Sequence, residues 1–224
     1  MPVPTSRRIA VLVSGSGTNF QALLDAIERD ATFGGEVVVV GSDQPGCAGL
    51  ERARRAGIPI VATALDEHPD RAAWEAALVS GLETYAPDIV VLAGFMRLVA
   101  PGFLARWPQR VVNVHPSLLP AFPGAHAVRD ALAHGVKVTG STVHLVDEEV
   151  DHGPIIAQRA VEVLEGDDEE VLHERLRTVE HVLLPAAVKL LCHDRIAVEG
   201  RRVRILPTGS ADALTPFDIE GAAT

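Results

Sequence analysis

Asn113 and His115 stand two residues apart at the end of a short apolar run, Val111–Val114, and Pro116 follows at once. On an extended chain, side chains two apart point to the same side. An amide donor and an imidazole aimed at one point can hold a developing oxyanion and manage a proton. A buried structural histidine would use the same position. Downstream, residues 147–154 read Asp-Glu-Glu-Val-Asp-His-Gly-Pro, a solvated acidic loop. Within it Asp151, just before His-Gly-Pro, is the carboxylate best placed to be anchored by a turn.

Ser14-Gly15-Ser16-Gly17-Thr18-Asn19 lies between an apolar run and a helical stretch. Glycines let a backbone approach an anion, and the next helix N-terminus offers free N–H groups. Thr18 and Asn19 add side-chain donors or caps. A tight strand-to-helix turn would also use these residues. The loop lacks the third glycine of a dinucleotide fingerprint and the Lys-Ser/Thr of a P-loop. It points to a phosphate rather than to NAD or ATP.

Gly94-Phe95-Met96-Arg97-Leu98 follows another apolar run, and its Phe and Met suit a flat ligand or a core equally. Glu180 lies on a long helical stretch about 40° from Leu176. Its carboxylate is expected to turn inward and need a partner, a cationic ligand or a structural arginine. His115, His126, His144 and His152 show no i,i+4 pair and no H-E-x-x-H pattern, so no metal is expected. His144, on an apolar run, reads as a satisfied structural histidine, and a substrate contact for His126 stays open. Cys47 and Cys192 fall in helical stretches away from these loops, which leaves no cysteine nucleophile.

The elements that must position these residues alternate. Ile9–Val13, Glu36–Gly41, Ile58–Ala62, Asp88–Ala93 and Val111–Val114 read as short buried strands. Phe20–Arg29, Gly46–Ala56 and Pro69–Tyr85 read as the helices between them. Continuous apolar strands separated by helices predict an α/β fold, a doubly wound, mostly parallel sheet covered on both faces. Ligands of such sheets sit at the carboxyl ends of the strands, where all of these loops fall. Further on, Thr142–Val146 and Pro154–Val163 are strand candidates. Asp167–Leu191 is a long helix with a Leu172, Leu176, Val179, Leu183 stripe and a possible kink at Pro185. Ile196–Val198 and Arg202–Ile205 form a C-terminal hairpin. Residues 1–206 are expected to make one domain, and 207–224 a loosely held tail.

Composition narrows the class. The chain has 224 residues, 47% of them hydrophobic, which fits one domain with a full core and excludes a disordered protein. A net charge of −10 excludes broad nucleic-acid or anionic-membrane binding, and leaves room for one small anion at a local site. Two cysteines far apart make neither a disulfide scaffold nor a four-cysteine zinc site, so a reducing, cytoplasmic location is expected. No signal-peptide core and no run of membrane-spanning length is present. Monomer and homodimer both remain open.

Taken together, the G-S-G-T-N loop, the G-F-M-R-L segment, N-V-H-P-S-L-L-P-A-F-P-G, G-S-T-V-H…D-x-G-P and the T-V-E-H helix resemble the folate-dependent glycinamide ribonucleotide formyltransferases of purine biosynthesis. The likeness runs in that family's order and spacing from about Ile9 to Leu206. The N-x-H-P-S-L-L-P portion is shared by a wider formyltransferase group, including methionyl-tRNA formyltransferase and formyltetrahydrofolate deformylase. The resemblance implies the Rossmann-like formyltransferase fold and 10-formyltetrahydrofolate as co-substrate. It implies Asn113, His115 and Asp151 as the catalytic set. It implies Gly17, Thr18 and Asn19 for the ribonucleotide phosphate, and Glu180 for its glycinamide end. It implies Arg71, Met96, Arg97, Leu98, Val99 and Asn113 for the folate.

Direct attack of the amine on the formyl carbon through a tetrahedral intermediate follows, with His115 expected as an imidazolium held charged by Asp151. Ala121 stands where relatives often carry Lys, and Arg177 where some carry Gln. The length is short for the extra domains of the tRNA enzyme and the deformylase. The alternatives are a deformylase with water as acceptor, which would need no phosphate cradle, and a non-catalytic folate or nucleotide sensor, which would need no catalytic set.

Overall fold

A computed structural model describes residues 6–207 of the chain; the expected tail lies, beyond Pro207, outside the described residues. Strand β1 (Arg7–Val13) lies at the middle of the parallel part of the sheet, with β2 (Gly35–Ser42) and β3 (Ile60–Ala62) on one side. β4 (Ile89–Leu92) and β5 (Val111–His115) lie on the other, and all four pairings are parallel. β6 (Val138–Leu145) and β7 (Ile155–Glu162) then add antiparallel. The hairpin of β8 (Ile196–Glu199) and β9 (Arg202–Ile205) closes the edge, with β9 parallel to β7. The order β3-β2-β1-β4-β5-β6-β7-β9-β8 confirms a mostly parallel α/β sheet with a C-terminal hairpin.

β1 is built by simple alternation. Ile9, Val11 and Val13 enter one core, Ala10 and Leu12 the other, and none is exposed to solvent. The first core is covered by α1 (Thr18–Arg29), α2 (Ala48–Arg55) and the second half of α6 (Glu169–Cys192). The second core is covered by α3 (Arg71–Glu83) and the short α4 (Pro101–Leu104), through Trp74, Leu78, Leu82 and Phe103. A smaller cluster joins α5 (Ala127–His134) to the first half of α6 through Val128, Leu172 and Leu176. Each buried Leu or Ile contributes about 1.5–3 kcal/mol, so these faces hold the helices down.

Three details differ from the sequence reading. β6 begins at Val138, not Thr142, because Thr139, Ser141 and Thr142 are buried polar residues that mask its strand pattern. α5 escapes notice because it offers only Ala127, Val128 and Ala131 to the core. α6 runs unbroken through Pro185, capped at its start by Asp168, whose carboxylate accepts the Val171 N–H at 2.9 Å. Among the described residues no helix is long and apolar enough to cross a membrane.

The connection from β6 to β7 carries Asp151 and turns against the sheet. A Cβ at Gly153 would lie 1.8 Å from the Leu145 carbonyl oxygen, which is backbone and cannot step aside. Gly153→Ala is therefore expected to cost about 1–3 kcal/mol through overpacking. Chemical denaturation with the midpoint compared to the parent chain checks this.

Candidate active site

Asn113 and His115 sit on the last residues of β5 and face the β6–β7 connection. Asp151 lies there in the left-handed region, φ 52°, a conformation Asp tolerates better than most residues. One of its oxygens accepts the Gly124 N–H at 2.7 Å and lies 3.5 Å from His115 Nδ1. The other accepts from the Asn113 amide at 3.4 Å and lies 3.7 Å from His144 Nε2. The Asn113 amide also donates to His144 Nε2 at 3.2 Å, while His144 Nδ1 donates to the Leu145 carbonyl at 2.9 Å. The structure thus brings Asn113, His115 and Asp151 together, and adds His144. His144 is a satisfied buried histidine, as expected, yet it also braces this cluster.

The electrostatics correct one expectation. Burial pushes the His115 pKa below the usual histidine value, outweighing the Asp151 charge that raises it. The ring of the free site is therefore neutral at pH 7, not imidazolium. Its Nε2–H donates to the Phe122 carbonyl at 2.9 Å, so its Nδ1 lone pair faces Asp151. Asp151 itself is ionised: burial pushes its carboxyl up, but the hydrogen bonds it accepts, the Gly124 N–H among them, draw it below the usual range.

The Ser14–Asn19 loop forms as the sequence suggests. Gly17 takes φ 69°, and a Cβ there would lie 2.6 Å from Gly49 Cα on α2. The first turn of α1 has no side-chain cap and no acidic residue, so its N–H groups are available to an anion. Arg52, which carried no sequence signal, donates from α2 to the Ser16 carbonyl at 2.9 Å. Asn19 donates to Glu180 at 2.8 Å across the α1–α6 contact. Glu180 is 3% exposed, and burial raises its pKa against the pull of Asn19 and Arg177. The other polar atom of that amide, Asn19 Oδ1, is buried and has no partner among the described residues.

The Gly94–Val99 segment is held from two other elements. Arg71, at the start of α3, donates to the Leu98 carbonyl at 2.7 Å, and Glu75 accepts the Ala100 N–H at 2.6 Å. Phe95 is core, stacked on Trp74 at 6.4 Å, whereas Met96 and Leu98 are exposed. Val99 packs against the second core. A cavity of about 630 Å³ opens here, lined by Ser14, Gly15, Asp43, Gln44, Gly46, Cys47, Met96 and Arg97. It lies where the winding of the sheet reverses between the parallel strands β1 and β4, the switch point of such sheets. Cys47 departs from expectation: α2 starts only at Ala48, so Cys47 is its N-cap residue, with a thiol 3.3 Å from Ser42 Oγ at the cavity wall rather than away from the loops. Cys192 is buried at the far end of α6, its pKa pushed up to about 12 by burial. Among the described residues no group of three His, Cys, Asp or Glu could hold a metal ion. His126 is exposed at the start of α5 and makes no side-chain cap bond.

Strand order, switch-point cavity and the Asn-His-Asp cluster define a class, and comparison with known proteins identifies it. The model of the family described as Formyl transferase matches residues 7–188, and the chain belongs to that family. Within it, phosphoribosylglycinamide formyltransferase of Mycobacterium tuberculosis is 49% identical over 201 residues, covering 90% of this chain and 92% of that one. The Escherichia coli protein of the same name is 42% identical over 191 residues, 84% of this chain and 88% of that one. The crystal structure of glycinamide ribonucleotide transformylase 1 from Symbiobacterium toebii superposes with a TM-score of 0.88 at 52% identity, covering 92% of this chain and 96% of that one.

The site makes one prediction that needs no substrate. His115 titrates below about pH 6.5 in the intact chain. In Asp151→Asn the supporting charge is lost, so the His115 pKa falls further. Histidine-ring NMR across a pH series reads both values, and an upward shift in the variant would contradict the assignment of charges.

Proposed function

We propose that this chain transfers the formyl group of 10-formyltetrahydrofolate to the amine of glycinamide ribonucleotide, giving formylglycinamide ribonucleotide and tetrahydrofolate in purine biosynthesis. The observation that carries the reading is the pairing of two features at one end of the sheet. One is the Asn113–His115–Asp151 cluster, and the other is the uncapped start of α1 behind Gly17. A formyl donor needs the first, and a phosphorylated acceptor needs the second. A phosphate at that N-terminus also reconciles an acidic chain with an anionic substrate, since the site needs only local donors.

The residues take the following parts. Gly17, Thr18 and Asn19 cradle the phosphate. Glu180 receives the glycinamide end, where a carboxylate acceptor suits an amine. Arg71, Met96, Arg97, Leu98 and Val99 line the folate, with Asn113 at its formyl group. The amine nitrogen attacks the formyl carbon, a C–N bond forms, and negative charge gathers on the formyl oxygen. Asn113 N–H and His115 Nε2–H donate to that oxygen, which takes the place of the Phe122 carbonyl at the ring.

The attacking nitrogen gives up a proton to the His115–Asp151 pair. His115 is suited to accept it because it starts neutral, and the resulting imidazolium is paired through Nδ1 with ionised Asp151. The proton passes to the folate nitrogen as its bond to the formyl carbon breaks. No covalent enzyme intermediate is required.

The deciding experiment follows 10-formyltetrahydrofolate consumption by absorbance with and without glycinamide ribonucleotide. Turnover only with the ribonucleotide is expected, whereas formate released in its absence would make water the acceptor. His115→Ala is expected to lower kcat by about 10²–10³ while both KM values move little. Thr18→Ala is expected to raise KM for the ribonucleotide and leave that for the folate unchanged. Steady-state kinetics with each substrate varied in turn separates the two.

A further inference from the structure

Asp43 belongs to none of the parts assigned above, yet it is one of the costliest groups in the fold. It follows β2 directly and is 3% exposed. A carboxylate buried this far must be fully paired. One oxygen accepts the Ser14 hydroxyl at 2.6 Å. The other accepts Arg97 Nε–H at 2.7 Å and the Gln44 amide at 3.3 Å. Burial pushes the Asp43 pKa up, but these bonds outweigh it and leave the group ionised. With its own O–H donating to Asp43, the Ser14 hydroxyl oxygen accepts the Met96 N–H at 2.9 Å. The chain of donors therefore has one direction and ends on one charge.

What this charge joins is specific. Ser14 opens the loop that leads to Gly17–Asn19, and Met96 and Arg97 open the segment that leads to Val99. Arg71 and Glu75 hold the far side of that segment from α3 and do not reach the Ser14 loop. The Asp43 bond is also the one hydrogen bond of the Arg97 guanidinium among the described residues, so it sets how Arg97 enters the cavity.

We infer that Asp43 is a positioning residue that locks Arg97 and Met96 in register with the Ser14–Asn19 loop, so that the two substrates meet at a fixed separation. The inference rests on the functional reading above and adds a residue to it. Asp43 borders the cavity with both oxygens already engaged, and it acts through Arg97 and Ser14.

Asp43→Asn tests it with little change in volume. The amide can still accept from Ser14 with its oxygen, but its NH₂ then opposes Arg97 Nε–H. A hydrogen bond to a charged group of this kind corresponds to a change of about tenfold or more. In D43N, KM for 10-formyltetrahydrofolate and Kd for tetrahydrofolate are expected to rise about tenfold, with KM for the ribonucleotide within about twofold of the parent. The double variant with Arg97→Gln is expected to bind tetrahydrofolate no more weakly than Arg97→Gln alone, because Asp43 acts through that side chain.

A general structural role would instead weaken both substrates together and give additive effects, and that result overturns the inference. An unchanged tetrahydrofolate Kd in D43N also overturns it. If D43N does not fold, Ser14→Ala frees Met96 from Asp43 and is read the same way: a raised Kd supports the inference and an unchanged one overturns it. If the unsubstituted chain binds no tetrahydrofolate and transfers no formyl group, the functional reading itself fails, and the inference falls with it.

Discussion

β1 and β4 are covered on both faces, and no side chain of Ile9–Val13 reaches water. That single constraint shapes the rest. A strand with two apolar faces has no place for a polar group along its length, so polar groups collect where it ends. Because the strands from β3 to β5 are parallel, their carboxyl ends fall on one edge. Ser14, Asp43, Gly94, Asn113 and His115 therefore share a neighbourhood although up to a hundred residues separate them. The reversal of winding between β1 and β4 leaves this edge open, and the cavity forms there.

Asp43 and Glu180 are buried and Asp151 is half-buried, and each carboxylate is compensated differently. Asp43 is held ionised by an arginine and a serine. Asp151 is held by a backbone N–H and an amide, with two histidines facing it. Among the described residues Glu180 has only an asparagine bond and a nearby arginine charge, and its pKa rises instead of falling. Burial alone would cost several kcal/mol for each charge, so the partners decide which form survives. The same competition leaves His115 neutral: burial opposes its charge more strongly than Asp151 supports it. A neutral ring beside an ionised carboxylate is a proton acceptor with its counter-charge already in place.

Much of this arrangement is legible in residue order. The valine run of β2 and the apolar run of β4 announce buried strands, and the loops that follow them announce where to look. Asn113 and His115 are legible as a pair because their spacing matches the strand period. The first half of β6 was not legible, since its threonines and serine are buried through contacts with β5 and β7 rather than through apolar character. α5 was not, because its small residues give no strong stripe. Cys47 looked helical by position, and only the start of α2 at Ala48 brings it to the cavity wall.

By itself the sequence determined the parallel core, the glycine loop behind β1 and the identity of the Asn, His and Asp that the family likeness singled out. These are local patterns, set by side-chain period and by the few residues that can take a left-handed or crowded backbone. Tertiary structure alone decided that Asp43 reaches both Ser14 and Arg97, that His144 braces Asn113, and that His115 is neutral. The physical reason is that pairing and desolvation depend on which distant residues the strand order packs together, and no spacing along the chain encodes the depth at which a charge is buried.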